Sequence, residues 1–411
     1  MTTKDISDFL VTTAQSDQQF SACLWDYNTQ NVRKYYKNGG TVAPNCFELI
    51  GKDYFLSSQL GKPLLHLWLL NSQDVLKEIR LVLPEPANCL AVSPFNDFLA
   101  AGINCKLYTW HLSSGNLLSI QQKNYQPITC LKFSSDGTFL VIGGQDGMLI
   151  VYCIGDLVTL SNNFMQQSDI GKAEPLYIKR DNSMAIKDIH IGVFGRKSRF
   201  ATVSVDKTCR IYTLLDGQLL QILTFGECLN SVIFDSWFGS LFVGMENGDI
   251  RCYNLKEPVK SLTHHVDEST SLLFKGHTNR VVCLALNFTQ TILASGSLDC
   301  VVYTWDVKRN QILKTFKHSS PITNIRFVAN CENFFAETIT PEYVVKSLKR
   351  NVHHSSDFVV AQFQKEAIEV DENDFKTRKE EEMQKLILEN MNLRAANTFL
   401  FNSILSIKRN T

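Results

Sequence analysis

A histidine, an aspartate and two serines lie within a short stretch of the chain, and these residue types can build a catalytic triad. They are His277, Ser295, Ser297 and Asp299. In a triad the histidine takes the proton of a serine hydroxyl while the carboxylate orients the imidazole ring. The same residues also fit a structural repeat that explains their spacing without catalysis, so the sequence predicts no enzymatic activity and no catalytic residues.

Three other groups of residues contain types that bind phosphate or metal ions, and none has the spacing that this chemistry needs. The run GGQDG at 143–147 lacks the GK[ST] ending and the following helix of a phosphate-binding loop. The pairs His264-His265 and His353-His354 have no cysteine or acidic ligand nearby at metal-binding spacing. The 12 cysteines form no CxxC pair and are expected to be small buried thiols in a reducing compartment. No cofactor and no metal site is predicted.

The stretch 275–306, KGHTNRVVCLALNFTQTILASGSLDCVVYTWD, contains three alternating apolar runs between a Gly-His pair and a Trp-Asp pair. Alternation with a period of two over short runs predicts antiparallel strands. A GH…WD frame of this length is typical of one blade of a WD-repeat β-propeller. The hydrogen-bonded network expected inside this blade comprises His277, Ser295, Ser297, Asp299 and Trp305.

Aromatic residues equivalent to Trp305 recur along the chain, most of them at steps of about forty residues, which is the length of one four-stranded blade. They are Trp25, Trp68, Trp110, Tyr152, Tyr212 and Tyr253. In most units an Asp or Asn precedes the aromatic by one and the same interval, where its side chain can stabilise a tight turn between two strands. These turn residues are Asn104, Asp146, Asp206, Asn247 and Asp299. The sequence therefore predicts an all-β protein, a seven-bladed WD-repeat propeller over residues 1–330.

The first unit has room for only three strands between Phe9 and Lys37. The missing inner strand is found at the other end of the ring, where PITNIRFV at 321–328 alternates like the first strand of the other units. We expect this segment to close the ring by pairing with the first blade, because closure removes exposed sheet edges. Two units are overlong, within 156–182 and 257–271. The first insertion is predicted as a projecting surface loop that either binds a partner or is merely tolerated.

Residues 331–370 show no clear period and are interpreted as a linker. The following segment, 371–409, has the heptad pattern of a coiled-coil helix, with acidic residues before it and Lys408-Arg409 at its end. Its predicted interface consists of Met383, Leu386, Asn390, Leu393, Asn397, Leu400, Ile404 and Ile407. Apolar d positions with Asn at two a positions favour a parallel pair of identical helices. A helix of a partner protein and the chain's own ring are the alternatives.

Lys and Arg together number 41 and so do Asp and Glu, which gives a formal net charge of zero. This balance argues against nucleic-acid binding as the main role, although a local basic rim is still open. The longest apolar run, Leu64 to Leu70, is far too short to cross a bilayer, and the amino end lacks the pattern of a signal peptide. A soluble intracellular protein is expected.

Three segments carry a family resemblance: QLGK at 59–62, WHLSSGNLL at 110–118 and FKGHTNRVVCL at 274–284. The chain resembles the WD-repeat subunit of the Rix-type, midasin-associated complex of pre-60S ribosome maturation, over the whole ring and more loosely over the terminal helix. The resemblance implies a scaffold subunit that acts in rRNA internal transcribed spacer processing. It implies a nuclear location, in nucleolus and nucleoplasm, with the cytoplasm as an additional compartment. The implied partners are a helical-repeat scaffold subunit, the AAA ATPase midasin and the pre-60S particle.

Two other functions stay open at this point. The resemblance also implies a WD-repeat adaptor in DNA replication or checkpoint assemblies, because some members of the family have been linked to those processes. The other possibility is a propeller that binds RNA directly. A continuous positive face beside exposed aromatic side chains would favour nucleic-acid binding.

Overall fold

The computed structural model describes residues 8–15, 20–159, 173–256, 261–267 and 270–350. Every described residue belongs to one compact unit, Met1–His354. The predicted coiled-coil helix, 371–409, and all eight of its interface positions therefore lie outside the described residues.

The described strands form seven sheets, so the predicted seven-bladed propeller is confirmed. The strands of each blade are given from the inner strand a to the outer strand d. Blade 1 consists of Ile322–Ala329, Asp8–Ala14, Ala22–Asp26 and Val32–Tyr36, and blade 2 of Val42–Ile50, Tyr54–Gln59, Leu64–Leu69 and Leu81–Val82. Blade 3 consists of Cys89–Val92, Phe98–Ile103, Lys106–His111 and Leu117–Gln121. Blade 4 consists of Ile128–Phe133, Phe139–Gly144, Leu149–Cys153 and Tyr177–Lys179, and blade 5 of Ile186–Ile191, Arg199–Ser204, Thr208–Thr213 and Leu219–Thr224. Blade 6 consists of Leu229–Phe234, Ser240–Met245, Ile250–Asn254 and Ser271–Phe274, and blade 7 of Val281–Leu286, Ile292–Ser297, Val301–Asp306 and Gln311–Lys317. Within the described residues three short helices accompany them, the α-helix Ile154–Thr159 and the 3-10 turns Gly195–Lys197 and Glu332–Phe334.

The second strand of each blade is buried on both faces because it is packed between two neighbouring blades. In blade 4, Leu140 and Ile142 belong to the core shared with blade 3. The alternate residues Phe139 and Val141 belong to the core shared with blade 5. Successive side chains of a strand point to opposite faces of the sheet, so one strand contributes to two inter-blade cores.

The turns between strands b and c have the predicted Asx geometry. The side-chain oxygens of Asp146, Asp206, Asn247 and Asp299 each accept a hydrogen bond, of 3.0 Å, from the backbone N–H two residues further on. Asn104 differs, since it adopts a φ of 49° and its amide donates to Glu85. The recurring Asp or Asn is therefore a turn residue in every one of these four blades.

The two ends of the ring meet in blade 1. Ile322–Ala329 pairs antiparallel with Asp8–Ala14, with Leu10 opposite Phe327 and Thr13 opposite Asn324. The segment predicted to close the ring thus forms the innermost strand of this blade, and its neighbours are the inner strands of blades 2 and 7. The inner strands consequently form an uninterrupted ring around the central channel.

The predicted linker differs from the structure in its first half. Residues 331–350, here called the arm, leave blade 1 and pack against the ring, while 351–370 lie outside the described residues. Phe334 is buried in the core between blades 1 and 2, and Val345 and Leu348 are buried in the core between blades 2 and 3. These anchors are irregularly spaced and their partners lie in three blades, so no helical or strand period marks the arm in the sequence.

The two insertions also contribute to the ring. After the gap in the first one, Ala173 packs into the core of blades 3 and 4 and its N–H donates to the Gln121 side chain at 3.1 Å. The second insertion contains a short strand, Thr263–His265, that pairs parallel with Leu219–Thr224. It adds a fifth strand to blade 5, so this insertion of blade 6 covers the outer edge of the neighbouring blade.

Candidate functional site: the blade 7 network, the channel and the arm groove

The predicted network of blade 7 is assembled as a relay of four side chains. The Nδ1 atom of His277 lies 2.9 Å from an Asp299 carboxylate oxygen, and its Nε2 lies 2.8 Å from the Ser295 hydroxyl. The indole N–H of Trp305 donates to the same Ser295 oxygen at 2.8 Å. With a proton on Nδ1, the imidazole donates to Asp299 and accepts the Ser295 hydroxyl proton, which satisfies all three groups.

This relay has the connectivity of a catalytic triad but not its accessibility. The Ser295 hydroxyl and the His277 imidazole are buried, and the Trp305 indole covers the serine oxygen. A nucleophile must reach its substrate, so the geometry supports a structural role for the relay. Burial lowers the pKa of His277, and the hydrogen bond to Asp299 opposes this shift only in part, so the imidazole is neutral near pH 7.

Ser297 and Asp299 hold the loop that leads into blade 7. The Ser297 hydroxyl donates to the Asn279 carbonyl at 2.8 Å, and Asp299 accepts the Thr278 N–H at 3.1 Å. Equivalent bonds connect Asp206 to the Ser183 N–H at 3.2 Å in blade 5. The aspartate therefore forms hydrogen bonds with two loops on the same face of the propeller. This structural role explains why it recurs in several blades, and no catalytic role is needed.

Sequence reasoning missed a second relay, in blade 1. The Trp25 indole N–H donates to the Thr12 hydroxyl at 2.8 Å, and this hydroxyl lies 3.2 Å from Nε2 of His318. Trp25, Thr12 and His318 occupy the places of Trp305, Ser295 and His277. The available signal was a histidine just before the closing strand, where the motif has its Gly-His pair, but the other two residues stand at the opposite end of the chain.

The arm forms the partner of a third tryptophan, Trp110 of blade 3. Ala101 stands in this blade where blade 7 has Ser295, so the indole has no hydroxyl to bond, and it donates instead to the Lys349 carbonyl at 3.0 Å. Two backbone bonds continue the contact, from the Lys349 N–H to the Gly115 carbonyl at 2.8 Å and from the Lys346 N–H to the Leu112 carbonyl at 3.2 Å. The arm thus supplies a polar group that the blade itself lacks.

The arm lies in a groove across blades 1 to 3. Its contacts with Trp110 are at one end of this groove, and the other end is centred on the buried Asp53 of blade 2. One carboxylate oxygen accepts the N–H groups of Glu342 and Tyr343 at 2.8 and 3.2 Å, and the other accepts from the Asn333 amide at 3.2 Å. Charged acceptors that take several N–H bonds are strong anchors. The groove across blades 1 to 3 is therefore a peptide site that the chain's own arm fills.

Two cavities lie along the central channel. The larger, about 630 Å³, opens at the face that carries the b–c turns, and amide side chains together with Lys187 and Arg280 line it. The smaller, about 310 Å³, lies inside the channel and is lined by Lys132, Asp188 and His190 among others. Burial raises the pKa of Asp188 to about 6 and lowers the pKa of His190 to about 3.

The channel side chains are occupied with the ring itself. Asp188 accepts the Val232 N–H at 3.1 Å and His190 accepts the Phe234 N–H at 3.2 Å, which joins blades 5 and 6. Among the described residues no group of three or more His, Cys, Asp or Glu side chains is placed to hold a metal ion. The cysteines are free thiols, half of them buried. None of the helices in the described part of the chain has the length and apolar character to cross a lipid bilayer.

Comparison with known proteins shows that the chain is similar to WD-repeat proteins. The WD domain, G-beta repeat, family matches residues 115–153 and 268–306, which span the outer strand of one blade and the first three strands of the next. WD repeat-containing protein 18 of Danio rerio is 31% identical over 82% of this chain and 77% of its own length. WD repeat-containing protein 18 of Homo sapiens is 29% identical, over 76% and 71%. The pre-rRNA-processing protein IPI3 of Yarrowia lipolytica is 28% identical, over 79% and 78%.

Proposed function

We propose that this chain is a non-enzymatic scaffold subunit needed for large ribosomal subunit assembly. The chain belongs to the family of WD repeat-containing protein 18, and it is also similar to the pre-rRNA-processing protein IPI3. The step that it serves is the processing of the internal transcribed spacer of pre-rRNA. The observation that carries the proposal is the match to a protein named for pre-rRNA processing, which extends over the ring rather than over a single repeat.

The geometry of the ring supports a binding role. The Asp-His-Ser relay of blade 7 is buried, and its members satisfy one another inside the blade. The outer surfaces of a rigid propeller, by contrast, present loops at fixed positions, and such loops commonly carry recognition. The arm groove on blades 1 to 3 is an example within the molecule of a peptide bound through backbone groups and apolar anchors.

The partners that we propose are a helical-repeat scaffold subunit of the same complex, the AAA ATPase midasin and the pre-60S particle, in the nucleolus and nucleoplasm. Self-association through the predicted helix 371–409 is part of the same proposal, since its heptad pattern favours a pair of helices. A propeller that brings several proteins together without chemistry needs no cofactor. An adaptor in DNA replication or checkpoint assemblies is the alternative within the family resemblance.

Depletion of the protein from its cells, followed by rescue, tests the proposal. We expect pre-rRNA that retains the second internal transcribed spacer to accumulate on depletion, measured by hybridisation with spacer probes, and the full chain to reverse it. Purification of the tagged chain from nuclear extract should recover pre-60S components. Normal spacer processing after complete depletion would contradict the proposed function, and recovery of replication or checkpoint proteins in place of pre-60S components would identify the alternative.

A further inference from the structure

The face of the ring that carries the a–b loops displays aromatic side chains to solvent. Phe95 of blade 3, Phe194 of blade 5, Trp237 of blade 6 and Phe288 of blade 7 are all exposed, and Trp237 is exposed to 80%. All a–b loops lie on the same side of the propeller, so these four aromatic side chains share one face. On blades 1 and 2 the arm covers the corresponding surface, whereas the aromatic residues of blades 5 to 7 have no such cover among the described residues.

Contacts between neighbouring a–b loops hold this face in place. Phe194 packs on Phe238 of the next blade with ring centroids 5.5 Å apart, and Phe238 packs on Phe234 at 5.1 Å. The Gly195 N–H donates to the Ser135 hydroxyl of blade 4 at 3.1 Å. Phe238 thus forms a rigid base between the exposed rings of Phe194 and Trp237. A rigid aromatic surface binds with little loss of conformational entropy.

The turn that presents Trp237 is also well defined. The Asp235 carboxylate accepts the N–H groups of Trp237 and Gly239, at 3.2 and 2.7 Å, and the Phe238 N–H donates to the Asp235 carbonyl at 3.1 Å. Phe238 of this turn is half-buried against the ring, whereas the larger Trp237 indole is exposed to water. An exposed tryptophan held by a defined turn contributes little to the core, and its indole is free to contact another molecule.

Positive charge accompanies the aromatic rings. Arg196, Lys197 and Arg199 follow Phe194 closely and all three are exposed. Lys256 of the adjacent c–d connection, also exposed, lies beside the Trp237 turn, where a Cβ added at Gly239 would meet its side chain. Two carboxylates of this face accept hydrogen bonds within their own turns: Asp235 as described, and Asp136 from the Ser134 and Thr138 hydroxyls at 2.5 and 2.9 Å.

We propose that this basic–aromatic face of blades 5 and 6 binds a single-stranded segment of RNA. Bases stack on Trp237 and Phe194, and backbone phosphates bind at Arg196, Lys197 and Arg199. Flat aromatic rings next to guanidinium and ammonium groups are the combination by which proteins bind single strands, since every base has a face to stack and every nucleotide has a charge to neutralise. Protein–protein interfaces also favour aromatic residues and arginine, but they are depleted of lysine, and Lys197 and Lys256 accompany these aromatic side chains.

The site is inferred from the geometry alone, and the choice of RNA over DNA rests on the proposed function. The two conclusions fail separately. Binding is measured with purified protein, so its absence leaves pre-rRNA processing untouched, and a normal spacer pattern after depletion leaves a measured affinity untouched. Tighter binding of DNA than of RNA of the same sequence would overturn the choice of RNA.

The first experiment titrates the full-length chain into a fluorescently labelled single-stranded 12-mer RNA and records anisotropy at several salt concentrations. Stacking of one base contributes on the order of 1–3 kcal/mol, so Trp237→Ala should weaken binding roughly 5- to 150-fold. The double variant Arg196→Glu, Lys197→Glu should weaken binding as well. It should also lower the slope of log affinity against log salt by roughly 0.7 for each phosphate that the protein no longer neutralises.

Matched control variants lie on the opposite face. Tyr125 is 79% exposed there, and Lys106 is an exposed cation at the start of strand c of blade 3, directly after the b–c turn. Tyr125→Ala and Lys106→Glu should leave the affinity within about twofold, because the face of the b–c turns is not used. Equal losses in the control and test variants, or no binding of single-stranded RNA at low salt, would overturn the proposal. Preference for an RNA duplex would do so too, since stacked bases offer no free face.

The protein's own fluorescence gives a second measurement that needs no variant. Of the five tryptophans, Trp68, Trp110 and Trp305 are fully buried and Trp25 is partly buried, so Trp237 dominates quenching by solutes in water. RNA should quench this emission and protect it from acrylamide. Trp237→Phe should keep most of the affinity but abolish the quenching, and unchanged emission of the original protein at saturating RNA would contradict stacking on Trp237.

Discussion

The hydroxyl of Thr12 and the imidazole of His318 lie 3.2 Å apart although 306 residues separate them in the chain. The contact belongs to a relay centred on the buried Thr12 side chain, to which the Trp25 indole also donates. One polar hydrogen-bond centre therefore joins the first described strand, the strand that follows it and the loop before the closing strand. Blade 1 thus contains a hydrogen-bonded relay equivalent to that of blade 7, and its residues come from the first strands of the chain and from the segment before the closing strand.

The Thr12→Val variant tests this relay at nearly constant side-chain volume. The change leaves the indole N–H of Trp25 and the imidazole of His318 without their shared partner in a buried place. We expect the free energy of unfolding to fall by about 1–3 kcal/mol, measured by urea denaturation. Thr338→Val, at an exposed position of the arm, is the control and should have little effect. Equal stability of Thr12→Val and the unaltered protein would contradict an energetic role for the relay.

The relay of blade 7 should respond to mutation as a structural unit. His277→Ala leaves Asp299 and Ser295 without their partner and is expected to cost about 1–3 kcal/mol of stability. Trp305→Ala should cost more, about 3–5 kcal/mol, because a cavity is added to the missing hydrogen bond. Thermal and urea denaturation of the purified variants measure both. A variant with normal stability that loses an enzymatic activity would restore the catalytic interpretation.

The histidine of blade 1 should make the ring sensitive to acid. Burial lowers the pKa of His318 to about 4 from its usual value near 6.5. Below pH 6.5 the unfolded chain therefore binds a proton that the folded chain does not, and stability is lost as the pH falls toward 4, by up to about 1.4 kcal/mol per pH unit. Above pH 6.5 this contribution to the free energy of unfolding is fully present.

The measurement is the pH dependence of unfolding from about pH 7.5 to about pH 4.5, a range that brackets most of this titration, for the unaltered protein and for His318→Gln. The variant should show a shallower fall, because glutamine does not titrate. The difference between the two proteins is the decisive quantity, since Asp188, with its pKa raised to about 6, has the opposite dependence in both. Identical pH profiles would show that His318 does not contribute in this way.

The arm offers a comparison between neighbouring valines. Val345 is 3% exposed in the core of blades 2 and 3, whereas Val344 is 60% exposed. Val345→Asp should detach this part of the arm, because an unpaired carboxylate cannot be buried at acceptable cost. Hydrogen exchange should then accelerate at the Lys346 and Lys349 amides, while the inner strands stay protected. Val344→Asp should leave exchange unchanged, and equal behaviour of both variants would refute the docking of the arm.

The terminal segment remains a prediction from the heptad pattern. Leu393→Asp together with Leu400→Asp should abolish self-association and leave the ring folded, as measured by light scattering and by thermal unfolding. Replacing Asn390 and Asn397 with Ile should instead strengthen association and relax its register. If the unaltered chain is a monomer whose mass does not change in the double Leu variant, the helix binds a heterologous partner. If that variant also loses thermal stability, the helix packs on its own ring.

The features that repeat were predictable from the sequence, and the features that occur once were not. The spacing of Trp305-like aromatics predicted the blades because each blade needs the same core, and four of the blades share the same Asx turn. The closing strand was predictable because one unit lacked a strand and the chain supplied a spare one. The arm was interpreted as a linker because Phe334, Val345 and Leu348 have no period, and their partners become visible only in the folded ring.

The basic–aromatic face shows the same limit in another form. Trp237 and Phe194 stand in loops of different blades, and in the sequence each is a single aromatic residue without a pattern. Their nearness depends on the contact between Phe194 and Phe238, which joins two blades. Zero net charge hid the local surplus as well, because basic residues on one face are balanced by acidic residues elsewhere.

Closure of blade 1 by both ends has a consequence for synthesis on the ribosome. The strand Asp8–Ala14 emerges early, but its inner partner follows about 300 residues later, which at typical translation speeds is roughly 15–60 s. During this interval the nascent strand has an unpaired edge and an apolar surface in Leu10 and Val11. We expect the emerging chain to need protection by a chaperone, and the ring to become cooperative only after translation has passed Ala329.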